Sequence, residues 1–188
     1  SRKMKNKILS LFSVCALTAV VLAAPLSSGL KPGEYVSSFH PQHLSGPDKG
    51  TDTCPPCKYG NLPAVQVWVN KEDPQTAADI TKTINQEVAK SKKDLKGFVL
   101  YVLNDKDAAS RAKQAAQKAE AAGLVKVAIA TVEPSDQAIP NHKISLKPEV
   151  RNTVLVYSKR KIVASMVNLK GTTQDLGRLR QALALAQK

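Results

Sequence analysis

Ala64-Val65-Gln66-Val67-Trp68-Val69, continuing through Asn70-Lys71-Glu72 into Asp73-Pro74, is the stretch that decides the fold. Five of its first six residues are β-branched, aromatic or small and apolar, which reads as a strand. Asp73 supplies a cap, and Pro74 takes a first helical position that needs no N–H donor. Ala77, Ile80, Ile84 and Val88 then recur at helical spacing. A strand running into a helix in this way opens a strand–helix–strand unit. Gly97 is expected to end the helix, and Phe98 to Leu103 closes the unit as a short apolar strand of the kind buried on both faces.

The pattern repeats downstream. Asp107 is placed to cap an alanine-rich helix with a buried stripe of Ala108, Ala112, Ala115 and Ala119, and Gly123 ends it. Val125 to Ala130 is another apolar strand. Thr131 to Arg151 holds Pro134, Pro140 and Pro148 and reads mostly as loop. Thr153 to Tyr157 and Ile162 to Val167 flank Ser158-Lys159-Arg160-Lys161 as a hairpin, without the Gly or Asn usual at such a turn. Thr172 or Thr173 caps a last helix with Leu176, Leu179 and Leu183 on one face. Strands alternating with helices imply an α/β domain, its parallel sheet covered on both faces and closed by an antiparallel hairpin.

Upstream the composition changes. Residues 24–63 are rich in Gly, Pro, Ser and His without sustained periodicity, so they form a loop-rich N-terminal arm ahead of a domain spanning 64–188. Residues 1–23 read as a signal peptide with a short upstream extension, Ser1-Arg2-Lys3. Lys5 and Lys7 precede an apolar run from Ile8 to Ala24, and Val21-Leu22-Ala23 forms the cleavage site. Cys15 lies within that run and would be lost on processing. The expected destination is the periplasm or the extracellular space; an uncleaved signal would instead leave the protein anchored to a membrane.

Loss of residues 1–23 removes four basic and no acidic residues. It leaves 24 basic against 15 acidic residues, a formal net charge of +9 compared with +13 for the whole chain. The basic residues are scattered, with small clusters at Lys90 to Lys96 and Lys159 to Lys161, and aromatics are not interleaved with them. That distribution, together with export, argues against nucleic acid as a partner and for a solvated basic surface. Loose attraction to an anionic envelope is the functional alternative.

Cys54-Pro55-Pro56-Cys57 sits in the arm. An exported pair at this spacing serves as a redox couple, a structural disulfide or a metal clip. If Cys54 caps a short helix, Pro55 and Pro56 fall in its first turn and Gly60 with Leu62-Pro63 ends it. Lys49 and Lys58 are the nearby cations able to favour a thiolate. On this reading Cys54 attacks and Cys57 resolves, the N-terminal member being the exposed one. As a bare staple, so small a ring contributes only about 2 kcal/mol in the loop-entropy model.

The element order, the extra strand at Val125 to Ala130, the closing hairpin and helix, and Cys54-Pro55-Pro56-Cys57 together resemble the thioredoxin-like superfamily, particularly its exported redoxin and peroxiredoxin-like branch. The resemblance covers roughly Ala64 to Lys188. It implies a thioredoxin-like α/β fold with a central mixed sheet flanked by helices, and a thiol–disulfide oxidoreductase acting on protein or small-molecule thiols and disulfides without a cofactor. The chain departs from that pattern twice. In thioredoxins the dithiol follows the first central strand and opens the next helix, whereas here that position holds Lys71-Glu72-Asp73-Pro74. Asn152 also stands where the family has a cis-proline before the hairpin.

His40 and His43 complete an H-x2-H…C-x2-C set with Cys54 and Cys57, ligand types that Zn or Cu accepts. A metal-binding or non-catalytic interaction module is therefore the alternative function. Loop hydrogen bonding is the plainer role for both histidines. His142, in the loop before the hairpin, reads as a surface histidine. Trp68 reads as core, and Tyr59 either covers the dithiol or packs against the arm.

Overall fold

The computed structural model describes residues 26–188, so the signal-peptide reading and Cys15 lie outside the described residues. The elements are β1 Gln42–His43, α1 Pro55–Tyr59, β2 Ala64–Val69, α2 Pro74–Lys90, β3 Lys96–Val102, α3 Ala108–Ala121, β4 Val127–Val132, α4 Ala138–Asn141, β5 Asn152–Ser158, β6 Lys161–Val167 and α5 Thr173–Ala186. The strands form one mixed sheet in the order β1-β4-β3-β2-β5-β6. β2, β3 and β4 are parallel, while β1, β5 and β6 each run antiparallel to their neighbours.

Alternation along the strands divides the core into two layers. Val65, Val67 and Val69 of β2 face Ile80 and Ile84 of α2, Ala112, Ala116 and Ala119 of α3, and Leu179 and Leu183 of α5. All three long helices thus lie on one face; for α2 and α3 this follows from two successive right-handed crossovers in one direction. Ala64 and Trp68 point the other way, toward Leu30, Val36 and Phe39 of the arm and Ala138, Ile139 and Ile144 of the segment before β5. The arm stands in for a second helical layer, which explains how a segment without helical or strand periodicity is held. Backbone bonds fix it along the hairpin, with Val36 N–H donating to Arg160 O and Ile162 N–H to Glu34 O. Ser28 Oγ bonds Thr153 Oγ1 at 2.6 Å.

Several expectations need correction. α2 ends at Lys90, and Gly97 lies inside β3, not at the helix end. A Cβ at Gly97 would come within 2.5 Å of Ile84 Cγ2, so this glycine is there for close helix–sheet approach. Asp107 occupies the cap position of α3 but makes no side-chain cap bond; Asp105 instead accepts the Asp107 N–H and binds Arg111. The buried stripe of α3 uses Ala116, while Ala115 is half-buried. β4 starts at Val127, two residues later than its apolar run begins, because Val125 is exposed. Lys159 and Arg160 both adopt positive φ, 50° and 63°, and make the hairpin turn that Asn-Gly usually makes.

Candidate dithiol site

Cys54 and Cys57 are joined as a disulfide with a Cα–Cα distance of 5.2 Å. The pair opens α1, where Pro55 and Pro56 occupy the first turn and are buried. Cys54 is the N-cap: its Sγ accepts the Cys57 N–H at 3.2 Å, and its carbonyl accepts the Lys58 N–H at 3.0 Å. The two sulfurs belong to residues in unlike surroundings. Cys54 is 5% exposed, whereas Cys57 is an exposed residue. The expectation that the N-terminal cysteine is the accessible one is therefore reversed.

The loop before Cys54 is held by both histidines singled out in the sequence. His40 Nδ1 lies 3.0 Å from Asp52 O, and the buried His43 ring places Nε2 2.9 Å from Thr53 O. Among the described residues no group of three or more His, Cys, Asp or Glu side chains is placed to hold a metal ion. The donor set His40, His43, Cys54 and Cys57 is thus not assembled, and both thiols are spent on the disulfide.

Asp48 anchors the helix from below. It is 6% exposed, and it accepts Lys58 Nζ at 2.6 Å and Tyr59 Oη at 2.9 Å. Burial by itself would raise the Asp48 carboxyl, but the bonds from Lys58 and Tyr59 outweigh it and hold the group below its ordinary value. The sign of the linkage follows: with a depressed native pKa, this contribution to stability is full above the unfolded value and is lost as pH falls through the native one. The stability difference between the natural chain and Asp48→Asn should stay constant from about pH 7 to 5 and shrink below about pH 4. Denaturant midpoints across that range would show it; a difference independent of pH would show that the ion pair contributes nothing.

Lys58 is therefore engaged with Asp48, and Lys49 pairs with Glu120 at 2.6 Å. Tyr59 packs on Phe98, ring centroids 5.9 Å apart. Lys58 Nζ and Lys96 Nζ lie 5.1 and 5.2 Å from the Tyr59 ring centre. Arg160, from the left-handed turn, lies against the end of α1: a Cβ at Gly60 would meet Arg160 Nε at 2.4 Å. The sequence places the hairpin turn at residues 158–161 and ends the short helix at Gly60, but the docking of Arg160 on α1 is not evident from it, since nothing local connects the two segments.

His142 is not a surface residue. It is completely buried, with Nδ1 bonded to Ala138 O at 2.9 Å, and its ring lies 5.1 Å from Trp68 and 5.2 Å from Phe39. Burial pushes its imidazole below the ordinary histidine range, against a partial opposing effect of the Ala138 carbonyl. Phe39, Trp68 and His142 clamp the arm to the sheet, so His142 has no part at the dithiol.

α1 precedes the first residue of β2 by a short connection, residues 60–63, and Lys96 and the β5–β6 turn lie at the same end of the sheet. The end where β2 enters α2 is at the opposite pole; six strand residues at roughly 3.3 Å each separate the two by ~20 Å. Among the described residues that second pole contains no cysteine. Asn152 is completely buried there, donating Nδ2 to Glu72 Oε2 and to Leu169 O at 2.8 Å and accepting Leu169 N–H at 3.0 Å. A cavity of about 360 Å³ between α2 and α3, lined by Ala77, Thr81, Tyr101, Ala115 and Ala119, also opens beside Glu72 and Pro74, away from the disulfide.

The sheet order and the helices that cover it define a thioredoxin-like fold. Solved structures share it across most of their length. A chain assigned as a thiol:disulfide interchange protein DsbE from Chlorobium tepidum superposes with a TM-score of 0.54 at 17% identity, covering 85% of this chain and 99% of that one. A mitochondrial 2-Cys peroxiredoxin from Plasmodium falciparum gives 0.57 at 11%, covering 82% and 93%. The thioredoxin domain of a thiol-disulfide oxidoreductase from Bacteroides vulgatus gives 0.53 at 12%, covering 81% and 96%. No protein-family model and no curated protein sequence matches the chain. Likeness at such identities establishes the fold; the chemistry has to come from the dithiol itself.

Proposed function

We propose that this protein is an exported thiol–disulfide oxidoreductase in which Cys54 and Cys57 form the redox couple. The observation that carries the reading is a C-x-x-C disulfide with one buried and one exposed member, mounted on a thioredoxin-like fold. The basic, apolar and small-residue succession at residues 1–23 supports export, and an oxidising compartment is where such a pair cycles between its two forms. The partners are thiols and disulfides of proteins or small molecules. The two sulfurs carry the whole exchange: the dithiol gives up two electrons and two protons, and the partner disulfide takes them up.

A dithiol of this kind is kinetically useful only if a partner sulfur can reach it and the displaced sulfur leaves as a thiolate. Exposure of Cys57 meets the first need, and the hydrogen bond donated to Cys54 Sγ meets the second. The expected result is that the mature chain accelerates dithiothreitol-driven reduction of insulin well above the buffer rate. A rate equal to buffer alone would overturn the proposal.

A further inference from the structure

We infer that the two cysteines exchange in the reverse of the usual order: Cys57 is the sulfur that meets the partner, and Cys54 is the buried thiolate that closes the cycle. The inference rests on the exchange reading above and assigns the roles within it. Cys54 is 5% exposed and is followed by the buried Pro55 and Pro56, at the end of a loop whose carbonyls at Asp52 and Thr53 are bonded by His40 and His43. So buried a residue offers a partner sulfur little access while that loop stays in place. Cys57, in contrast, is an exposed residue of α1 and is the member of the pair that solvent and a partner reach.

The chemistry follows from that asymmetry. In the oxidised protein, a partner thiolate attacks Cys57 Sγ. A partner–Cys57 disulfide forms, the Cys54–Cys57 bond breaks, and the electron pair leaves on Cys54 Sγ, which already accepts the Cys57 N–H. A second partner thiolate then attacks the partner's own sulfur in that mixed disulfide, releasing the partner as a disulfide and Cys57 as a thiolate, so the protein ends with two thiols. In the other direction, the Cys57 thiolate attacks a partner disulfide and expels one partner thiolate. Cys54 then attacks Cys57 Sγ and expels the second, restoring the Cys54–Cys57 bond. Each cycle moves two electrons.

Trapping with glutathione disulfide tests the assignment. Cys54→Ser keeps a side-chain oxygen at the N-cap, so α1 retains its cap. This variant should accumulate a stable glutathione adduct on Cys57, while Cys57→Ser should form its adduct at least about tenfold more slowly. In the reduced natural chain, iodoacetamide should modify Cys57 before Cys54, read by peptide mass; this second measurement does not depend on either variant folding. Adduct formation on Cys54 in Cys57→Ser at an equal or greater rate, or first alkylation at Cys54, would overturn the assignment. Those results would leave the exchange function standing if the natural chain still reduces insulin. Loss of that activity in the natural chain would instead remove the exchange reading.

Discussion

Cys54→Ser will abolish the acceleration of insulin reduction, a loss of at least about 100-fold, because a lone Cys57 thiol forms a mixed disulfide that nothing in the protein then resolves. The substitution is conservative for the fold, since serine also caps helices and the side chain is small and buried. The loss therefore reports on chemistry and not on unfolding, which the far-UV circular dichroism of the variant will confirm. His40→Ala will leave the rate within about twofold of the natural chain, because His40 is exposed and its one contact is to the Asp52 carbonyl. A metal module would give a different pattern. Its activity or stability would follow added zinc or copper and would fall with His40→Ala as well as with Cys54→Ser. Unchanged insulin reduction in Cys54→Ser would remove the enzymatic reading.

Asn152→Leu will destabilise the protein by at least about 3 kcal/mol, a large share of the 5–15 kcal/mol typical of a domain. The side chain is fully buried and forms three hydrogen bonds, to the Glu72 carboxylate and to both backbone groups of Leu169. Leucine has similar bulk but leaves a buried carboxylate oxygen, an N–H and a carbonyl without this partner. Each such loss costs roughly 1–3 kcal/mol, and more where the group is charged. Chemical denaturation of natural chain and variant measures the difference. A change below about 1 kcal/mol would show that Arg151 or water takes over, and that the network is not what closes this end of the sheet.

The fold is legible in the sequence, while the placement of the site is only half so. β2 and α2 follow from Ala64–Val69 and Asp73-Pro74 because both signals are local, and Asp73 Oδ2 does accept the Thr76 N–H at 2.8 Å. Thr172 caps α5 in the same way. The strand–helix alternation sufficed for the mixed sheet, and the two departures from the thioredoxin pattern were readable as a missing cysteine after β2 and an asparagine at 152. The remainder depends on contacts between distant residues. Leu30, Val36 and Phe39 cover a sheet face that carries no long helix, and an arm without periodicity gives no warning of that. His142 looked like a loop histidine because nothing in its sequence neighbourhood reveals Trp68 and Phe39 on either side. The burial of Cys54 and exposure of Cys57 depend on how α1 lies against the body of the fold. Its anchors, Asp48 beneath Lys58 and Tyr59 and Arg160 against Gly60, come from segments that sequence spacing does not connect.

The opposite pole of the sheet carries polar closure where the resemblance would place redox chemistry. Glu72, Asn152 and Leu169 bond one another there, while the dithiol is carried by the segment that enters β2. The surroundings of α1 are Tyr59, with Lys96 over its ring, and Arg160 beside Gly60, none of which belongs to the region around Asn152.

The most direct test of the account is a redox titration of the metal-free mature protein in thiol–disulfide buffers, with the fraction of free Cys54 and Cys57 read by mass after alkylation. Exchange chemistry predicts a single two-electron transition between about −120 and −270 mV, the range of known exchange catalysts. A midpoint below about −300 mV would mark the bond as a structural staple and contradict the central claim.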